Sequence, residues 1–154
     1  MDTLKKQKEK TMFIGEYLIS MDAKGRIAVP AKFRPKLNTS AVVTRGLDQS
    51  LFLYPTAEWE QIASKLAALP LSKANSRAFS RLMLAGAFEV ELDKQGRIMI
   101  PDYLRKFANL SKKVVTAGLY NRIEIWDEQT WNDYKKGTEK ESTRIAEELG
   151  ELGV

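Results

Sequence analysis

Apolar and polar residues alternate in the same way at two places along the chain. From Tyr17 to Met21, and again from Ala87 to Leu92, the period is two, and in the second stretch Phe88, Val90 and Leu92 share a face. That pattern predicts half-buried β-strands. Each strand runs into an aspartate, Asp22 or Asp93, and then a short loop ending at Gly25 or Gly96. Glycine there admits the positive φ that a bulged hairpin needs. The alternation then resumes over residues 26–29 and 97–100, predicting a strand that returns along the first. Pro30 and Pro101 stop it, having no N–H for a ladder, and suit the first turn of a helix. Short helices are expected over 31–37 and 102–108. Two more strands follow each time, 41–44 with 50–54 and 113–116 with 122–126, with Gly46 and Gly118 in the connecting turns. The order β-β-α-β-β is expected twice.

The remaining segments carry helical spacing. Thr56 is placed to cap a helix whose Trp59, Ile62, Ala63, Leu66 and Leu69 form one stripe, ended by Pro70. A second helix is expected from Ser72, with Phe79, Leu82 and Met83 three or four residues apart as core or subunit interface. A last helix starts near Glu128, carries Trp131 and Tyr134, and is interrupted near Gly137. Tyr54, Trp59 and Trp131 read as core rather than as platforms for stacking bases.

The doubled pattern is a true internal repeat. Asp22-Ala-Lys-Gly-Arg-Ile-Ala-Val-Pro30 returns as Asp93-Lys-Gln-Gly-Arg-Ile-Met-Ile-Pro101, an offset of 71 that also relates Arg34 to Arg105. Val42-Val-Thr-Arg-Gly-Leu47 returns as Val114-Val-Thr-Ala-Gly-Leu119 at an offset of 72, as does Trp59 at Trp131. The extra residue falls in the loop after Leu37 and Ala108. The organisation reads as a basic N-terminal extension (1–11), a first module (12–60), a helical connector (61–86), a second module (87–132) and a helical, acidic tail (133–154). Such short modules bury too little surface to stand alone, so two copies should pack together with pseudo-two-fold symmetry into an α+β fold.

Composition narrows the chemistry. The 154 residues include no Cys and no His, which removes thiol chemistry, imidazole bases and zinc fingers. No two acids are placed as an active-site pair, so no enzyme, catalytic residue, metal, cofactor or small-molecule substrate is expected. No apolar run approaches the length of a membrane helix, and a cytoplasmic location is expected. The formal charge is +5. Residues 138–154 hold Lys140 and Arg144 against Glu139, Glu141, Glu147, Glu148 and Glu151, a net −3, which leaves +8 elsewhere. A basic body with an acidic tail favours a polyanionic partner for the body.

The cations concentrate on the repeat. Lys24, Arg26, Lys32, Arg34 and Lys36 follow one another with no acid between them; Lys94, Arg97, Arg105 and Lys106 repeat the arrangement more sparsely, with Gln95 in place of Lys24. A two-stranded ribbon fits the DNA major groove, where an arginine pairs with guanine, and lysines beside it hold phosphates. The candidate DNA-binding set is Lys24, Gly25, Arg26, Lys32, Arg34, Lys94, Gln95, Gly96, Arg97 and Arg105. Asp22, Asp93, Pro30 and Pro101 are structural. A second reading stands beside this one: Asp22 with Arg26, and Asp93 with Arg97, pair only to stiffen the turn, which adds little at a surface. The two are compatible if the carboxylate orients an arginine that meets a base. Lys5, Lys6, Lys8 and Lys10 read as a leader rather than as specific contacts.

The stretch from Met12 through Asp22-Ala-Lys-Gly-Arg26 to Pro30 and Arg34, the second Asp-x-x-Gly-Arg-x-x-x-Pro, the Gly-Leu turns and the tryptophans closely resemble MraZ proteins. The resemblance spans about residues 12–135. It implies two AbrB-like (SpoVT-AbrB, swapped-hairpin) modules, ring-shaped homo-oligomers, and binding of double-stranded DNA at direct repeats in the promoter of the division and cell-wall gene cluster. It also implies repression of the chain's own operon and association with the nucleoid. The family's DNA-contacting motif falls on Asp22 to Arg26 and Asp93 to Arg97. Family members begin near the residue corresponding to Met12, which marks 1–11 as an extension. A ring-forming scaffold and an antitoxin-like regulator of the same fold are the alternatives; the duplicated module argues against the second.

Overall fold

A computed structural model describes residues 12–153; the leader lysines lie outside them. Among the described residues eight strands form two sheets. In chain order they are β1 (Phe13–Ser20), β2 (Arg26–Ala28), β3 (Ser40–Arg45), β4 (Leu51–Pro55), β5 (Phe88–Glu91), β6 (Arg97–Met99), β7 (Lys113–Tyr120) and β8 (Ile123–Asp127). Six of them make an antiparallel sheet in the order β1-β7-β8-β4-β3-β5, and β2 pairs with β6 in a separate two-stranded ribbon.

Within each repeat β3 pairs with β4 and β7 with β8 as expected, and the other strand pairs join the two repeats. β1 lies along β7, with Tyr17 opposite Thr116, and β5 lies along β3, with Val90 opposite Ala41. Each repeat's first strand thus completes the other's half of the sheet. Within a repeat, the strand after the glycine was expected to return along the strand before it. It does not: only a single bridge, Met21 to Ile27, links β2 to the first strand's end, and β2 runs instead along β6. Ile27 and Ile98 explain the preference. They face each other across that ribbon and are each 1% exposed, a burial a solvent-facing hairpin could not supply.

A local two-fold axis is marked twice. It passes through the Ile27–Ile98 pair of the ribbon and the Phe52–Glu124 pair where β4 meets β8; in each pair the two residues are repeat equivalents. The main core fills the space between the inward face of the sheet and the ribbon. It includes Phe13, Val43, Leu51, Leu53, Val114, Ile123 and Ile125 from the sheet, with Ile27, Val29, Ile98 and Ile100 opposite. Two short helices close it, α1 (Arg34–Leu37) through Leu37 and α4 (Asp102–Phe107) through Leu104. The first was expected to begin right after Pro30. Residues 31–33 form a turn instead, and the helix begins at Arg34.

The outward face of the sheet is covered by helices. α2 (Thr56–Ala67) and α3 (Ala74–Ser80), which runs on into a π-helical turn at Arg81–Ala85, pack Leu66, Phe79 and Met83 against Phe52 and Tyr54. Trp59 packs on Tyr54, with ring centroids 5.9 Å apart, and its repeat equivalent Trp131 packs on Trp126 at 5.2 Å. Trp131 lies on α5 (Glu128–Lys140), which is followed by α6 (Ser142–Leu149).

Several local expectations fail for identifiable reasons. Thr56 does not cap α2, because Pro55 holds the cap position and the Thr56 hydroxyl pairs with that of Ser40 at 3.1 Å. The second connector helix begins at Ala74 rather than Ser72. Helix α5 passes straight through Gly137 and breaks at Glu141; one glycine costs a helix only about 1 kcal/mol. Gly118 lies within β7, opposite Gly15 of β1, rather than in a turn, because the bend to β8 falls at Tyr120 and Asn121.

Candidate nucleic-acid interface

The two Asp-x-x-Gly-Arg segments fold into the same turn. In the first, Asp22 Oδ1 accepts hydrogen bonds from the backbone N–H groups of Lys24 (3.0 Å) and Arg26 (2.9 Å), and Oδ2 accepts from Arg26 Nε at 2.7 Å. Gly25 donates its N–H to the Asp22 carbonyl at 3.0 Å and takes φ +82. In the second, Asp93 Oδ1 accepts from the N–H groups of Gln95 and Arg97, both at 2.9 Å, and Oδ2 from Arg97 Nε at 2.9 Å; Gly96 takes φ +74. The spacing is dictated by this geometry. A short carboxylate reaches its own backbone two residues on, and with glycine at the left-handed position it also meets the residue four ahead.

The carboxyls respond as expected. The Arg26 backbone N–H bond is the main cause holding Asp22 below the usual carboxylate range, and the Arg26 side chain and the Lys24 N–H add to it against an opposing desolvation. Asp93 is lowered in the same way, first by the Arg97 backbone N–H. Both carboxylates therefore stay ionised through the physiological range and keep a fixed grip on their arginines.

The ribbon decides where those arginines face. Arg26 stands opposite Met99 and Ala28 opposite Arg97, with Ile27 and Ile98 between them. Because strand side chains alternate, Arg26, Ala28, Arg97 and Met99 share the outer face while the isoleucines fill the inner one. The two arginines lie diagonally across the local two-fold axis, each about one-third exposed. Each uses Nε for its aspartate. Their terminal amino groups make no hydrogen bond among the described residues, which leaves the two-donor edge of each guanidinium available. Met99, 44% exposed between them, was not singled out from the sequence.

Of the other candidate residues, Lys24, Lys94 and Gln95 are exposed in the turns, and Lys32 is exposed in the turn after Pro30. Gly25 and Gly96 are buried. Pro30 and Pro101 end the ribbon strands, and their carbonyls accept the N–H groups of Phe33 and Leu104. Arg34 and Arg105 are part-buried, and each crosses to the glycine turn of the opposite repeat. Alternation within one hairpin does not foresee that crossing; the one signal is that Arg34 and Arg105 share the turns' offset of 71. Lys106 is tied to Asp102 at 3.0 Å.

The arrangement suits an extended polyanion. Cations outnumber carboxylates around the ribbon, and Asp22, Asp93 and Asp102 each already hold a cation. Among the described residues no three His, Cys, Asp or Glu side chains are grouped to hold a metal ion, and no helix is long and apolar enough to cross a membrane. A family model described as "MraZ protein, putative antitoxin-like" matches the chain twice, over residues 12–82 and 83–151.

Proposed function

The chain belongs to the MraZ family, a regulator-type, antitoxin-like family rather than one of enzymes, and from that premise we propose that it is a sequence-specific DNA-binding regulator of transcription. The observation that carries the proposal is the outer face of the β2–β6 ribbon, where Arg26 and Arg97 stand around a local two-fold axis, each oriented by an aspartate and each keeping two donors for a base edge. A guanidinium in that state makes the paired contact to guanine in the major groove, worth about 1–3 kcal/mol of discrimination. Lys24, Lys94 and Lys32 take phosphates and Gln95 a base edge or phosphate, setting the register of the protein on the duplex. Asp22 and Asp93 orient the arginines and do not touch DNA.

The exchange of strands between repeats supports the AbrB-like, swapped-hairpin reading, with modules at 12–60 and 87–132, the connector at 61–86 and the tail at 133–154. The targets are direct repeats upstream of the chain's own division and cell-wall gene cluster, which it represses from the nucleoid. Repeated sites suit a homo-oligomeric ring, since linked weak contacts gain affinity through effective concentration. Ile14 and Leu18, more than half exposed on edge strand β1, support contact between copies. The test is a gel shift with duplex from upstream of the gene, comparing wild type with Arg26→Ala. Specific binding is lost in the variant while the oligomer survives; equal binding by the two overturns the proposal. The family's description as antitoxin-like favours one other reading, a regulator that also holds a partner protein, and that reading leaves the ribbon's role unchanged.

A further inference from the structure

Each glycine turn leans on an arginine from the other half of the chain. A Cβ built on Gly25 would come within 2.8 Å of both Cζ and Nε of Arg105, and one built on Gly96 would collide with Cζ and Nε of Arg34. These are contacts of a flat guanidinium against a bare α-carbon. At Gly25 the Ile100 carbonyl oxygen also stands 2.8 Å from such a Cβ, so backbone as well as side chain would have to shift there, whereas the nearest atoms at Gly96 all belong to the Arg34 side chain. The backbone reinforces the crossing: Gly25 O accepts from Ile100 N at 2.8 Å, and Gly96 O from Val29 N at 2.9 Å. Arg34 Nε in turn donates to Val29 O at 2.8 Å, which anchors it on the residue that pairs with Gly96.

We propose that Arg34 and Arg105 are positioning residues acting across the repeats: Arg105 holds the Gly25 turn and Arg34 the Gly96 turn, so that neither reading turn is complete without the other half of the chain. The inference rests on the DNA-reading role proposed above for those turns. Arg26 and Arg97 each follow their glycine directly, so any shift of the turn is carried to the arginine that meets a base. The two braces are unequal. Arg34 is latched through Val29, whereas Arg105 Nε is buried without a hydrogen-bond partner among the described residues and its Nη2 stands 3.8 Å from Asp102. The Gly25 turn is therefore the more easily loosened of the two.

Two measurements on the full-length protein decide the matter. The first uses no DNA. Backbone amide resonances are compared for wild type, Arg34→Ala, Arg105→Ala and the conservative Arg105→Lys. The expected result is crossed: Arg105→Ala disturbs residues 22–26 more than 93–97, Arg34→Ala does the reverse, and Arg105→Lys, which keeps the charge but not the flat group, disturbs 22–26 as well. Disturbance confined to each arginine's own repeat overturns the inference. The second measures affinity for the upstream duplex across a salt series. A positioning residue costs about tenfold in affinity, of the order of one weakened base contact, and leaves the slope of log affinity against log salt unchanged. A slope smaller by about 0.9 means one phosphate contact has gone, which makes Arg105 or Arg34 a direct DNA ligand and overturns the inference. If wild type itself ignores the duplex, the proposed function fails, while the amide comparison still judges the bracing.

Discussion

Gly25 lies directly beneath the guanidinium of Arg105, a residue 80 positions along the chain, with no room between them for a methyl group. The same α-carbon holds φ +82, which L side chains adopt at a cost of about 1–2 kcal/mol. Gly25→Ala therefore meets two penalties, one from the backbone and one from displacing Arg105 and the Ile100 carbonyl. The expected loss of stability is about 2–4 kcal/mol, above the ordinary range for a surface turn. Urea unfolding of the variant checks it, and a loss of under about 1 kcal/mol would show that the turn yields freely.

Gly137 is the counterexample within the same chain. It sits inside helix α5, and a Cβ there would have no neighbour within 4 Å. Nothing offsets the entropic weakness of glycine in a helix interior. Gly137→Ala is expected to stabilise the protein by about 0.5–1 kcal/mol, raising the unfolding midpoint with an unchanged denaturant slope. A destabilised variant would mean that α5 bends or is contacted at this point in solution.

The turns also respond to acid in a definite direction. The carboxyls of Asp22 and Asp93 are held below the usual range, chiefly by the backbone N–H groups of Arg26 and Arg97. A group whose folded pKa is depressed contributes fully above its unfolded value, about 3.9, and loses that contribution as pH falls through the folded value. The amide resonances of Lys24, Gly25 and Arg26 are therefore expected to hold steady down to the ordinary carboxylate range and to move only below it. An NMR titration with Asp22→Asn as the non-titrating control reads this directly. A midpoint at or above 3.9 contradicts the hydrogen-bonded turn.

How much of this was legible in the sequence depends on which distances matter. The turns were legible, because Asp22, Gly25 and Arg26 interact within five residues and their chemistry is local. The strands were legible as strands, and β3 with β4 and β7 with β8 pair as expected, but the partners of the strands flanking each glycine turn were not legible. Alternation shows that Ile27 wants burial without showing that Ile98 provides it. The second half of the repeat shows the limit best. Matching letters align Val42-Val-Thr44 with Val114-Val-Thr116, an offset of 72, yet β3 and β7 superpose at 73: Ala41 pairs with Val90, and Val114 with Ile19. A slip of one residue exchanges the faces of a strand, so Val43 points into the core while Val115 points outward, away from the ribbon. The crossing of Arg34 and Arg105 was hidden for the same reason, since it exists only once the two halves have exchanged strands.

The two turns are not chemically equal, and DNA binding should register the difference. Their architecture matches bond for bond, but the residue before the glycine is Lys24 in one and Gln95 in the other, both exposed. Lys94 stands one position earlier, where the first turn has Ala23. A lysine on a phosphate releases about one counterion's worth of salt dependence, and a neutral glutamine releases none. Lys24→Ala is therefore expected to lower the slope of log affinity against log salt by about 0.9 and to weaken binding similarly on specific and random duplex. Gln95→Ala should leave the slope where it was, and any loss it causes should fall on the specific duplex alone. Adding charge in the second turn supplies the converse: Gln95→Lys should steepen the slope by the same amount, provided the second turn reaches the backbone as the first does. A slope indifferent to both Lys24→Ala and Gln95→Lys would place the turns away from the phosphates, and with them the ribbon between.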